Sequence, residues 1–98
     1  MAGGAGLSAL RYPPRVPVRV TMYSRTTCGL CDAAREVILA VRERAPFEYE
    51  EVFVDGDDSL EREYGLRVPV VLVDGVEQFE VEVPGGELRA LVEASPGA

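Results

Sequence analysis

Ninety-eight residues, 47% of them hydrophobic, suffice for one small domain with its own core and leave no room for a second. A formal net charge of -7, from 17 acidic against 10 basic residues, argues against nucleic acid and anionic membrane surfaces as partners, because either would repel the chain. The lack of histidine excludes Cys–His and Ser–His nucleophile pairs and any imidazole-ligated metal site.

Residues 1–15 read as a flexible arm, with Gly3, Gly4 and Gly6 permissive and Pro13, Pro14 and Pro17 opposed to helix. Met1 to Ser8 carries no basic region followed by an apolar segment, so it does not read as a secretory signal. No apolar run approaches the roughly 20 residues of a membrane span. The expected location is the cytoplasm, where disulfides are usually transient and catalytic. From Val16 the pattern changes: Val18, Val20 and Met22 alternate with Arg19, Thr21 and Tyr23, the period of a strand. Ser24 to Thr27 reads as a polar loop leading to Cys28.

A helix follows, with Ala34, Val37, Ile38 and Val41 on one face and Arg35, Glu36, Arg42 and Glu43 on the other. Arg42 and Arg44 fall in its expected last turn, and Pro46 stops it. Phe47 to Val54 predicts a second strand. Asp55 to Ser59 predicts a turn and helix cap, rather than a calcium loop, before a short helix from Leu60 to Gly65. Val70 to Val73 is an unbroken apolar run suited to a strand buried on both faces. Asp74-Gly75 predicts a two-residue hairpin. Val76 to Val83 returns as its partner, with Phe79, Val81 and Val83 on one face. Glu87 to Ala94 predicts the last helix, and residues 95–98 a tail. The order β-α-β-α-β-β-α gives an α/β protein with a mixed four-stranded sheet, in which parallel pairing is expected except at the antiparallel hairpin edge.

The chemical signal is Cys28-Gly29-Leu30-Cys31, between the first strand and the first helix. Free N–H groups and the positive end of the helix dipole favour a thiolate at Cys28. Such positions lower a cysteine pKa from about 8.5 to roughly 3.5–7.5. Arg25 is expected to add to that stabilisation. Cys31, a turn deeper, is expected to be buried and to resolve a mixed disulfide formed on Cys28. A structural disulfide, a zinc half-site completed by a second subunit and a pair of inert thiols are competing uses. A staple is disfavoured because so short a ring removes only about 2 kcal/mol of unfolded-chain entropy, against about 4.7 for a hundred-residue loop. Spacing and position together favour redox chemistry. Tyr23 and Tyr64 are expected to pack with their hydroxyls at the surface rather than line a groove, and Asp32 to be a solvated first-turn residue.

The stretch Val20-Thr21-Met22-Tyr23-Ser24-Arg25-Thr26-Thr27-Cys28-Gly29-Leu30-Cys31 resembles the start of a small bacterial glutaredoxin-like protein. Arg67-Val68-Pro69-Val70 followed by Val73-Asp74-Gly75 is similar to that family's second motif. The resemblance covers about residues 16–94 and implies a thioredoxin-like fold. It also implies a cis bond before Pro69, leaving the Val68 backbone free to pair with an extended substrate. The chain departs from the family in two places. Gly29 and Leu30 stand where proline and an aromatic residue are common. Gly85-Gly86-Glu87 matches the family's glutathione-holding segment only in part. Met22 occupies the place where thioredoxins usually carry a buried acid, so no proton acceptor for Cys31 is assigned.

These readings make the chain a thiol–disulfide oxidoreductase. Cys28 and Cys31 are its catalytic pair, and Arg25, Gly29, Leu30, Val68 and Pro69 shape its substrate site. No cofactor or metal is expected to be tightly bound, and glutathione is a possible co-substrate. Partners would be a disulfide-bearing protein or small molecule and, as electron donor, glutathione or a reductase; the chain is expected to be a monomer. A redox-sensing or interaction module with little turnover, and a glutathione-dependent iron–sulfur dimer, are the alternatives from other classes.

Overall fold

Val18, Val20 and Met22 are buried, as their alternation demands of a strand with one face in a core. Val20 and Met22 belong to β1 (Arg19–Ser24) in a computed structural model that describes residues 17–95, and Val18 leads into it. The expected arm, residues 1–15, lies outside the described residues, as does all but the first residue of the tail. α1 (Gly29–Arg42), β2 (Glu48–Phe53), α2 (Asp58–Tyr64), β3 (Val70–Val73), β4 (Val76–Glu80) and α3 (Gly85–Ala94) follow in the expected order. Among the described residues no helix is long and apolar enough to cross a membrane.

The sheet order is β2-β1-β3-β4. β1 and β2 are parallel, with Val20 opposite Tyr49 and Met22 opposite Glu51. β3 lies antiparallel to β1, Val70 facing Tyr23 and Val73 facing Val20. Parallel pairing of β3 was the expectation, and chain length explains the difference. A six-residue strand spans about 20 Å, while the seven-residue α2 advances only about 10 Å. α2 by itself falls short of the length of the sheet, and Val70 enters beside Tyr23, so β3 starts at the end where β2 stops.

Val20, Met22, Val71 and Val73 point to one face, where they meet Ala34, Ile38 and Val41 of α1 and Leu88 and Val92 of α3. Each large apolar side chain of this kind contributes about 1.5–3 kcal/mol on burial. Val70 is buried on the opposite face, so β3 is covered on both sides. Asp74 and Gly75 both have positive φ, 49° and 83°, which is the two-residue hairpin turn that this pair suits.

β2, α2 and the start of α3 shift by one or two residues from expectation, and three further boundaries differ with consequences for the site. β1 runs on to Ser24, whose carbonyl accepts from the Val54 N–H at 2.9 Å, so Ser24 is strand rather than loop. α1 ends at Arg42, leaving Arg44 beyond the last turn. β4 ends at Glu80 after a register shift opposite Val71 and Leu72, so Val81 to Val83 are not strand. Val83 is still buried, but Val81 turns outward with φ 70°.

Candidate active site

β1 and α1 are joined by a short loop that delivers Cys28 as the N-cap of α1. Its Sγ accepts a hydrogen bond from the Cys31 N–H at 3.1 Å, and its carbonyl accepts from the Asp32 N–H at 3.0 Å. One of the N–H groups that a helix start leaves unpaired, that of Cys31, is thus turned on this sulfur, which favours negative charge there. Cys31 is fully buried and Cys28 half-buried, and the two form a disulfide with Cα atoms 5.2 Å apart. Thr27, just before, holds φ 55°, a left-handed conformation costly for a β-branched residue at about 1–3 kcal/mol.

The loop is tied down on the side away from α1. Asp55 accepts from the Thr26 N–H at 3.0 Å and from its hydroxyl at 2.9 Å. These bonds, the backbone one foremost, hold the Asp55 carboxyl below its usual range. Arg25 reaches α2, donating to both Glu61 carboxylate oxygens and, at 3.1 Å, to the Gly65 carbonyl. Its charge is neutralised by Glu61, and it has no hydrogen bond to either sulfur among the described residues. The guanidinium therefore clamps the cysteine loop to α2.

Just before β3, whose Val70 pairs with Tyr23 near the end of β1, the Val68–Pro69 peptide bond is cis, with Pro69 fully buried and Val68 half-buried. The Pro69 carbonyl accepts from the Val81 N–H at 2.8 Å. Gly29 and Leu30 are both exposed, and a Cβ on Gly29 would meet no atom within 4 Å. Tyr23 and Tyr64 stack with centroids 4.0 Å apart, and Arg67 lies 5.6 Å from the Tyr64 ring centroid.

A group that the sequence pattern does not reveal lies on the α1 side of the sheet. Glu51 accepts from Arg35 Nε at 2.7 Å and Nη2 at 2.6 Å, from Ser24 Oγ at 2.6 Å and from the Tyr49 hydroxyl at 3.3 Å. Arg35 also donates at 2.9 Å to Asp32, which is the exposed first-turn residue expected. Arg35 was expected on the solvent side of α1; instead its stem is half-buried and its head turns to β2. The Arg35 hydrogen bonds hold the Glu51 carboxyl below its ordinary value, and burial pushes the Tyr49 hydroxyl up. The available signal was the period of β2, since Phe47, Tyr49 and Glu51 share one face. Among the described residues no group of three His, Cys, Asp or Glu could hold a metal ion.

Residues 19–93 match a family model described as Glutaredoxin-like domain (DUF836). The chain belongs to this glutaredoxin-like family. The protein Rv0508 of Mycobacterium tuberculosis (strain ATCC 25618 / H37Rv) is 32% identical over 77 residues, 74% of this chain and 79% of the relative. Among solved structures, protein XcR50 from X. campestris is 38% identical with TM-score 0.67, covering 79% of this chain and 99% of its own. Protein Ne2328 from Nitrosomonas europaea has TM-score 0.68 at 25% identity, covering 81% and 95%. A mutant thioredoxin from Halobacterium salinarum NRC-1 has TM-score 0.57 at 26% identity, covering 80% of this chain and 74% of its own. The glutaredoxin-like chain therefore has a thioredoxin-like fold with a redox-type cysteine pair at the start of its first helix.

Proposed function

We propose that the glutaredoxin-like chain catalyses reversible dithiol–disulfide exchange on the disulfide of another molecule. The Cys28 thiolate attacks one substrate sulfur; the substrate S–S bond breaks and the departing sulfur leaves as a thiolate that takes up a proton. Cys31 then gives up its proton and attacks Cys28 Sγ. The Cys28–Cys31 bond forms, and the second substrate thiol is released. Two electrons pass from the protein's dithiol to the substrate disulfide, and an external thiol or dithiol reductant restores them.

The observation that carries this reading is the placement of the pair. Cys28 sits at the helix N-cap with an N–H on its sulfur, while Cys31 is buried behind it. That asymmetry separates an attacking thiolate from a resolving thiol. Arg25 serves as a positioning residue that fixes the loop, and Val68 and Pro69 form the facing edge for an extended substrate.

An equilibrium titration in glutathione buffers, read by thiol alkylation and mass, tests the proposal. A midpoint between roughly -270 and -180 mV, where reductase-like members of this fold lie, is expected. In the same assay Cys28→Ser should be inert and Cys31→Ser should accumulate mixed disulfides. Thiols that never pair, or a Cys31→Ser protein that forms no adduct, would show that the exchange reading is wrong.

A further inference from the structure

The groove beside the cysteines has walls that discriminate among disulfides, an inference that rests on the exchange reading. α1 supplies Leu30, Ala33 and Val37 on one side, and the segment after β4 supplies Val81, Glu82 and Val83 on the other. The groove has a volume of about 420 Å³, within the range of roughly 300–1,000 Å³ that suits a small ligand or a few side chains. Leu30 is 51% and Val81 41% exposed, so the rim beside the motif presents apolar surface to solvent.

The second wall is built at a cost. The Glu82 N–H donates to the Glu80 carbonyl at 2.7 Å around Val81 at φ 70°, the geometry of a strained three-residue turn. A β-branched residue held this way costs about 1–3 kcal/mol, and such strain concentrates at ligand clamps. The turn aims the Val81 side chain outward, while its N–H holds the Pro69 carbonyl, so groove and cis-proline edge are contiguous.

Charge decides what fits. Glu82 is the charged lining residue, Glu87 stands in the first turn of α3, and no lining residue is cationic. The arginines around the motif are engaged elsewhere: Arg25 by Glu61, Arg35 by Glu51 and Asp32, and Arg67 by Glu77 and Glu80. Glutathione carries a carboxylate at each end and would find apolar walls and like charge. An extended segment with an apolar side chain and a lysine or arginine near its cysteine would find complementary ones. We infer that the groove selects protein segments of that apolar–basic type and disfavours glutathione, through Leu30, Val81 and Glu82.

Single-turnover reduction by prereduced protein tests this, because the Cys28–Cys31 dithiol supplies both electrons. Three disulfides are compared: a short peptide disulfide with leucine and lysine flanking cysteine, glutathione disulfide, and neutral hydroxyethyl disulfide. The peptide is expected to react at least about tenfold faster than glutathione disulfide, in line with electrostatic steering. In Glu82→Lys that ratio should fall toward one. Equal rates for peptide and glutathione disulfide in the parent protein, or a ratio unmoved by Glu82→Lys, would overturn the groove assignment while leaving exchange intact. Peptide rates per mole of protein that drop as protein concentration rises would put a second copy of the chain in the groove and overturn it too. No reaction with any of the three, hydroxyethyl disulfide included, would remove the exchange reading itself.

Discussion

Glu51 illustrates how much one side chain can hold together. Its carboxylate, 12% exposed, joins α1 through Arg35, β1 through Ser24 and its own strand through Tyr49. Removing one member of a buried ion pair costs about 3–5 kcal/mol. Arg35 keeps 30% of its side chain in solvent, so partial screening brings the expected cost of Arg35→Ala to about 2–4 kcal/mol. Urea denaturation at neutral pH checks this, and a loss under about 1 kcal/mol, the range of exposed pairs, would mean the pair is effectively solvated. The pH dependence follows from the depressed Glu51 value. A carboxyl whose folded pKa lies below its unfolded value stabilises the fold above the unfolded value, about 4.3, and that contribution is lost as pH falls through the folded one. The parent protein should therefore lose stability on acidification below about pH 4.3, and Glu51→Gln, measured by the same denaturation, should flatten the slope there. Cys28 and Cys31 were legible in the sequence because their relation is local, four consecutive residues at a strand-to-helix junction. Glu51 and Arg35 were not, because their meeting depends on the β1–β2 register and on how α1 is rotated over it.

At the scale of elements, close packing at junctions separates glycines of similar appearance. A Cβ on Gly65 would lie 2.5 Å from the Glu61 carbonyl oxygen and 2.7 Å from the Arg25 guanidinium. Gly65→Ala should then cost about 1–3 kcal/mol, as overpacking does, and loosen the Arg25 clamp. Gly29→Ala, with open space at Cβ, should be neutral or stabilising by up to about 1 kcal/mol, since alanine suits a helix better. Thermal unfolding of the two variants checks the pair, and similar losses in both would contradict it. Val81→Gly offers a second contrast. Glycine removes the left-handed strain of about 1–3 kcal/mol but also removes a side chain that is 41% exposed and contributes little core. Its stability should stay within about 1 kcal/mol of the parent while its preference for the apolar–basic peptide drops; a large stability loss would place Val81 in the core instead. Periodicity found all the elements and the Asp74-Gly75 turn, because hydrophobic phase and turn chemistry are written locally. It missed the end of β4, where Val81 and Val83 keep the strand alternation of apolar residues but the left-handed turn at Val81, just after the Val70–Glu80 pair, takes the chain off the sheet. It also missed the direction of β3, which is set by how far α2 can travel rather than by any pattern within β3.

On the whole-molecule scale the chain's charge of -7 adds to the local one of the groove. A cationic substrate is attracted over a distance set by ionic strength, about 30 Å at 0.01 M and about 3 Å at 1 M. In low salt it responds to the field of the whole acidic surface; at high salt it responds only to close neighbours such as Glu82. The peptide with lysine should therefore react several-fold more slowly at about 0.5 M than at about 0.02 M salt, as electrostatically steered encounters do. Glutathione disulfide, repelled by the same field, should react faster as salt rises, and hydroxyethyl disulfide should not respond. Glu82→Lys changes the net charge by only two units, from -7 to -5. If the long-range field dominates, the salt slope for the peptide survives this substitution; if the local carboxylate dominates, the slope shrinks along with the peptide preference. The groove's apolar walls and the strained Val81 turn predict the second result, because the cation must sit within a few ångströms of Glu82 once the neighbouring apolar side chain is seated between Leu30 and Val81. Stopped-flow rates across a series of salt concentrations, for parent and Glu82→Lys protein, distinguish the two; an unchanged slope would assign the selectivity to the overall charge and leave the groove only a steric role.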